Sequence, residues 1–311
     1  LTGHYLKHVA VPPGAFRIPP TELKEMLPRQ ALMLQSAAAA LQHAGLDKGD
    51  HLHTGVFVGT GLDLNATGFS LRWGLPGRVH QWARQTGSEM DQQQLERWCN
   101  TLRDALSPAL TANRTMGALG SVVASRIARE FKCGGPSFTV AAEENSAIQA
   151  LQLAVNALRR GELQQAIVGG VDLPGDLRAQ LSARKLGHDQ PVCEGACSVV
   201  LMPLDAAKAQ GRTIYAVINE VATATGSDDT LVRTRTDAQQ RAIQALPAGV
   251  CHDYIDRISH DPRTTPWQGL TSAASRQLST SARCGHAGEA AGLVGIVAAT
   301  LSLHHRILPG N

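Results

Sequence analysis

The chain has 311 residues, 43% of them hydrophobic and 18% charged, enough apolar content for one large core or two fused halves and too little charge for a disordered chain. A net charge of +3 from 29 basic and 26 acidic residues, with no Lys/Arg block interleaved with aromatics, gives no case for nucleic acid, and no apolar run reaches membrane-spanning length. The six cysteines Cys99, Cys133, Cys193, Cys197, Cys251 and Cys284 show no zinc spacing, because the Cys193/Cys197 pair has no second pair to match it. Reduced thiols in a cytoplasmic compartment are therefore expected. The N-terminus is neither a signal nor a transit peptide, and it begins without Met, as a piece cut from a larger polypeptide would.

In chain order, Pro12-Pro13-Gly14 to Pro19-Pro20 is an extended lead-in, and Thr21 precedes a helical pattern with Glu22 and Glu25. ALMLQSAAAALQHAG is a helix stopped by Gly45, and its run of alanines implies close packing on another backbone. Val56-Phe57-Val58 is a short buried strand leading into a Gly-containing loop. Residues 79–110 are polar and helical, a surface insertion or lid. A helix is expected over roughly Gly117 to Phe131, then a strand in GGPSFTV, then a helix through NSAIQALQLAVNALRRG ending at Gly161.

QQAIVGGVDL and ACSVVLMPL are strands, AAKAQG is a short helix, and TIYAVINEVATATG alternates with period two like a strand. Residues 236–246 are expected as a helix, DYIDRI as a weak strand and EAAGLVGIVAATLSLHHRIL as a long apolar helix. Strands that are apolar throughout, alternating with helices, predict an α/β protein with sheets covered on both faces.

This ordered set resembles the ketosynthase family of fatty acid and polyketide synthases. MLPRQALMLQSAAAALQHAG, GVFVGTG, ASRIAREFKCGGPSFTV, AIVGGVDL, EGACSVVLMPLDAAKAQGRTIYAVI and CGHAGEAAGLVGIVAATLSLHHRILP follow the family's blocks in order and cover most of the chain. IPPTELKEMLPRQ, ANRTMGALGSVVASRIAREF and SFTVAAEENSA are similar to the chain-length-factor domains of polyunsaturated fatty acid synthases and iterative polyketide synthases. The resemblance implies a five-layered αβαβα thiolase-like fold over 1–311, with halves 1–205 and 206–311, apparently lacking the family's first and last strands.

A ketosynthase needs a Cys at the N-terminus of a buried helix, where dipole and amides favour the thiolate. Aligned with the family, GPSFTVAAEENSA puts Glu144 on that nucleophile, with Ala141, Ala142, Glu143 and Asn145 around it, and none of the six Cys falls there. An unremarkable reading of Glu143-Glu144 is a solvated pair favoured by the helix macrodipole. The family's second histidine is retained as His286, with Ser281 at its lysine position and Arg283 at its asparagine position. The first histidine position reads Ile258, and His260 two residues on is taken as a surface-loop residue.

The resemblance implies no resident cofactor, since substrates ride on the phosphopantetheine of an acyl carrier protein. It also implies an active ketosynthase as partner across the strand carrying Phe138 and Val140. Tunnel residues are expected around Gly117 and Ala118. Three readings stay open: a non-condensing chain-length partner, a malonyl-carrier decarboxylase built on Glu144 and His286, and a docking scaffold. GTGLDL lacks the Lys-Ser/Thr of a phosphate loop, and His304-His305 has no third ligand for a metal.

Overall fold

The computed structural model describes residues 3–46, 49–64, 68–109, 111–185, 191–224, 238, 240–242, 244–245, 254–255, 276–277 and 280–307. Its centre is a four-stranded sheet. Strands β1 (Gly3–His4), β2 (Thr54–Gly59), β3 (Ser137–Val140), β4 (Gln165–Asp172), β5 (Val192–Cys193) and β6 (Gly195–Leu201) occur in that chain order. The sheet runs β3-β2-β4-β6, and β1 pairs with β5 apart from it. Strands β3, β2 and β4 are parallel, with Val56 opposite Ser137 and Ile167; β6 is antiparallel to β4, with Gly169 opposite Ser198.

All six residues of β2 are buried, which is why that stretch reads as continuously apolar. Side chains alternate across the sheet. Val56, Val58, Ile167 and Val171 join one core with Met33, Leu34, Leu41, Val123 and Ile127. Phe57, Ala166 and Val168 join a second core with Ala147, Leu151, Ala154 and Leu293. Helices α1 (Pro20–Glu25) and α2 (Pro28–His43) come before β2. Helix α2 has Pro at its first turn, and Gly45 just beyond its end takes a left-handed φ of +66°, as the chain reversal requires. Ala37 of α2 is wholly buried, so the expected close approach of the alanine face is present.

Between β2 and β3 lie α3 (Gly68–Gln85), α4 (Gln92–Leu106), α5 (Ala112–Ala118) and α6 (Val122–Glu130). The helical insertion expected over 79–110 begins earlier, at Gly68, and is a hairpin. Gly87 at φ +65° breaks it, Asp91 caps α4 in a reciprocal box with Gln94, and Leu75, Val79 and Cys99 form its own small core. The single helix expected from Gly117 to Phe131 is two helices, parted where Leu119 turns extended beside Gly120.

After β3 come α7 (Ser146–Arg159), α8 (Leu177–Lys185) and α9 (Leu204–Ala209). Residues 213–224 of TIYAVINEVATATG do not form a strand. A strand needs a hydrogen-bonded neighbour, and none of the described residues provides one. Ile218 and Val221 instead pack on the second core, and Gln152 Nε2 donates to Val221 O at 3.1 Å.

In the C-terminal half, β7 (Tyr254–Ile255) pairs in parallel with β8 (Arg276–Gln277), followed by α10 (Thr280–Cys284) and α11 (Ala291–His305). Ile258, His260 and Cys251 lie outside the described residues, as do five of the eleven positions of the helix expected over 236–246; 238, 240–242 and 244 are helical. Helices α2 and α6 cover one face of the main sheet and α7 and α11 the other. Among the described residues no helix is long and apolar enough to cross a membrane.

Candidate functional site

Because β2, β3 and β4 are parallel, their C-terminal ends at Gly59, Val140 and Asp172 share one edge, where α/β sheets place ligand sites. Glu144 stands on that edge, in the single turn Glu143–Asn145 that opens into α7. Ala142 N donates to Ser146 Oγ at 2.9 Å, and Ser146 Oγ donates to Glu143 O at 2.5 Å. Glu143 takes φ +50°, a left-handed setting that costs a non-glycine residue about 1 kcal/mol or more. The bend is held by close packing. A Cβ on Gly59 would overlap the Ala147 backbone, and one on Gly170 would crowd Ala147 Cβ and Ala290 Cα. The two glycines thus let the N-terminus of α7 settle onto the sheet.

Glu143 is exposed, as the solvated-pair reading has it. Glu144 is half-exposed: its side chain is 45% exposed and its Oε1 lies 3.2 Å from His286 Nε2. His286 is buried between strand and helix. Its N–H donates to Pro191 O at 2.7 Å, its carbonyl accepts from Cys193 N at 2.8 Å, and its Nδ1 accepts from Gly288 N at 3.1 Å. With Nδ1 the acceptor, the ring hydrogen of the neutral imidazole sits on Nε2, the atom facing the carboxylate.

Beneath this pair lies a buried charge cluster that the sequence reading missed. Arg29 Nη2 donates to Asp172 Oδ1 at 2.8 Å, and Arg29 Nη1 donates to Thr60 Oγ1 at 2.9 Å and Gly61 O at 2.8 Å. Asp63 Oδ2 is 3.7 Å from Arg29 Nε. Glu289, three residues beyond His286, bonds to Asp172. Burial first, then the hydrogen bond and charge of Glu289, push the Asp172 carboxyl up to about 8 against the pull of Arg29. Gly61 and Gly288 leave room for this contact, since a Cβ on either would overlap Glu289 or Asp172. The one available signal was an arginine and an aspartate, each isolated in an apolar run.

The remaining expected residues fall apart from this pair. Ser281 lies in α10, half-buried, its carbonyl accepting Gly285 N at 2.9 Å, and it brings no cation. Phe138 is 39% exposed on β3, the sheet edge, and meets Phe57 edge-on at 5.1 Å; Val140 is half-buried against the second core. Gly117 is buried where α5 meets α1. Its carbonyl accepts from Leu27 N at 3.2 Å and Gln30 Nε2 at 2.7 Å, and a Cβ there would overlap Glu25 O, so the residue packs α5 onto α1. Its neighbour Ala118 is half-buried. Burial pushes the Cys133 and Cys197 thiols up to about 11, away from thiolate chemistry. Among the described residues no cluster of His, Cys, Asp or Glu is arranged to hold a metal ion.

Residues 2–200 match the family "Beta-ketoacyl synthase, N-terminal domain". Among curated proteins the chain is 30% identical over 333 residues to erythronolide synthase EryA2 of Saccharopolyspora erythraea, covering 96% of this chain and 8% of that protein. It is 30% identical over 346 residues to the highly reducing polyketide synthase cm3B of Cordyceps militaris, covering 99% of this chain and 12% of that one. The chain thus spans a small fraction of the relatives it matches.

Among solved structures, the PfaC keto synthase–chain length factor superposes with TM-score 0.75 at 25% identity, covering 91% of this chain and 32% of that one. The ishigamide ketosynthase/chain length factor superposes with TM-score 0.71 at 18% identity, covering 96% and 74%. With the sheet, its covering helices and the edge carrying Glu144 and His286 already in place, these matches establish the chain as a member of the β-ketoacyl synthase family, a ketosynthase-like domain of thiolase-like fold.

Proposed function

We propose that this chain is a non-condensing, chain-length-factor-type subunit that pairs with an active ketosynthase and shapes its acyl tunnel. The observation that carries the reading is the Glu144–His286 contact. A carboxylate stands where condensation needs a thiolate, and an acyl-carboxylate anhydride would be a poor, hydrolysis-prone substitute. The histidine that would steady an enolate has Nδ1 committed to Gly288 and Nε2 facing Glu144. The decarboxylase reading needs a free donor aimed at a substrate oxygen, and this pairing speaks against it. The PfaC and ishigamide relatives, whose names include a chain length factor, support the partner reading.

On this reading the partner ketosynthase adds its sheet to the open edge of β3 at Phe138 and Val140. Substrates arrive on the phosphopantetheine of an acyl carrier protein. The test is intact mass after incubation with an acyl carrier or a cerulenin-like electrophile. No adduct at the start of α7 is expected, together with product-length control when an active ketosynthase is added. A stoichiometric adduct mapped to 141–146, or carbon dioxide release that depends on Glu144 and His286, overturns the reading.

A further inference from the structure

Beside the outer edge of β6 lies a cavity that the site above does not use. It measures about 490 Å³, within the range of ~300–1,000 Å³ common for small-ligand pockets. Its walls are aliphatic: Val199 and Leu201 of β6, Leu151 and Val155 of α7, and Ile296 and Leu301 of α11 all line it. Residues 213–218 form a further wall and run beside β6 without strand pairing. The cavity stands toward the far end of the sheet from Glu144. Strand β6 is antiparallel to β4, so Gly195 meets Asp172 at the Glu144 edge while Leu201 meets Ala166 at the other.

The polar groups of the cavity gather at the end of α2. Tyr215 OH lies 2.9 Å from Nε2 of His43, the last residue of that helix, and the His304 ring packs on Tyr215 at 4.6 Å. Arg212 Nη1 donates to Ala44 O at 3.0 Å and to Gly45 O at 2.9 Å, the carbonyls just past the same helix end. Among the described residues Arg212 meets no carboxylate, and its Nη2 makes no hydrogen bond. The other arginine on the wall, Arg159, is paired with Glu220 at 2.9 Å. No Asp or Glu among the described residues lines the cavity.

This distribution selects the ligand. A polar or cationic molecule would bury its donors against aliphatic walls that hold no carboxylate to receive them. A planar aromatic ligand would find no ring to stack on except at the Tyr215 end. An aliphatic body with an anionic head satisfies both parts, because the half-buried guanidinium of Arg212 gains a charge-assisted partner while the chain covers apolar wall.

We propose that this cavity binds a single-chain amphiphile with a carboxylate head, of the free fatty acid class. The chain lies against Leu151, Val199 and Ile296, and the carboxylate accepts from Arg212 Nη2 beside Tyr215. The proposal does not depend on pairing with a ketosynthase, and its failure leaves that reading untouched.

The test titrates the full chain by calorimetry with dodecanoate, held below its micellar concentration, and with dodecyltrimethylammonium, which has the same chain and a cationic head. Saturable binding of one dodecanoate per chain is expected, with the cation bound at least about tenfold more weakly. Arg212→Gln should weaken dodecanoate about tenfold and leave the cation unchanged. Ile296→Trp, which fills the cavity, should remove binding of both, with its melting point as the control for folding. A photoreactive dodecanoate on the wild-type chain needs no variant to fold, and it should label 212–218 and 296–301. Absence of saturable wild-type binding, equal affinity for the two head groups, full dodecanoate affinity in Arg212→Gln, or labelling confined to 137–146 overturns the proposal.

Discussion

Asp172 is where pH should act on this fold. It ends β4 with its side chain 12% exposed, bonded to Arg29 at 2.8 Å. Burial, and then Glu289, push it up to about 8 from an ordinary 3.8. Between those values the folded chain holds a proton that the unfolded chain has released. The stability contributed by that proton is complete below about pH 4 and is lost as pH rises through about 8. One proton of difference tilts the unfolding free energy by about 1.4 kcal/mol per pH unit. From about pH 5.5 to about 7.5 the expected fall is therefore ~2–3 kcal/mol, a large share of the ~5–15 kcal/mol that stabilises a typical domain. Asp172→Asn keeps an acceptor for Arg29, keeps a donor for Glu289 and cannot ionise, so it removes the tilt. Variant and wild type should be about equally stable below about pH 4, and the variant's advantage should grow by about 2–3 kcal/mol between about pH 5.5 and about 7.5. Urea unfolding at several pH values measures this, and taking the difference between the two proteins cancels the other titrating groups. Parallel stability profiles across that range would refute the proton-sharing account.

On the proposed reading, Glu144→Cys should regain labelling by a thiol-directed electrophile without regaining condensation, because the family resemblance puts Ile258 and Ser281 at the other two catalytic positions; condensed product formed by the variant alone would contradict this. Gly117→Trp should unfold or strongly destabilise the chain, by more than the ~1–3 kcal/mol of ordinary overpacking, since the new side chain meets the Glu25 backbone. A melting point within a few degrees of wild type would reopen the tunnel assignment. Timed iodoacetamide labelling of the folded protein near pH 7.5 should modify exposed Cys284 first and spare Cys133 and Cys197, whose thiols sit at about 11; peptide mapping decides the order.

The main sheet was legible because its strands are apolar on both faces, and the helices between them because they end on glycines, with left-handed turns at Gly45, Gly161 and Gly211. What failed were boundaries set by tertiary contact. Nothing in the local pattern of Gly117 to Phe131 marks the extended turn at Leu119, which exists because α5 packs on α1 through Gly117. The stretch 213–224 has strand periodicity, but periodicity does not supply the neighbour a ladder requires. Helix α8 escaped notice because its leucines face outward, so its pattern does not read as a buried stripe. Glu144 and His286 were found by matching family blocks, and spacing alone would not have paired residues 142 positions apart. The cluster of Arg29, Asp172 and Glu289 was invisible for a related reason: its members come from three elements that meet only after the sheet has formed.

The bend before α7 is present although, on the function proposed here, it no longer serves condensation. Holding Glu143 at φ +50° costs about 1 kcal/mol or more, and Gly59 and Gly170 are needed to seat the helix behind it. For a ketosynthase that arrangement exposes a nucleophile to helix amides that favour its anion. With glutamate in the same place, the amides still favour the anion, by about 0.3–1 kcal/mol, but the charge now faces His286 rather than an acyl carbonyl. On the proposed reading the same backbone holds two loops together, those bearing residues 141–146 and 285–290, through the Glu144–His286 contact. Selection for chemistry would not keep such a site, whereas selection for a partner that must match this edge of the sheet would. On the proposed reading, the surface near that region left for a partner is β3, which lies at the edge of the sheet among the described residues.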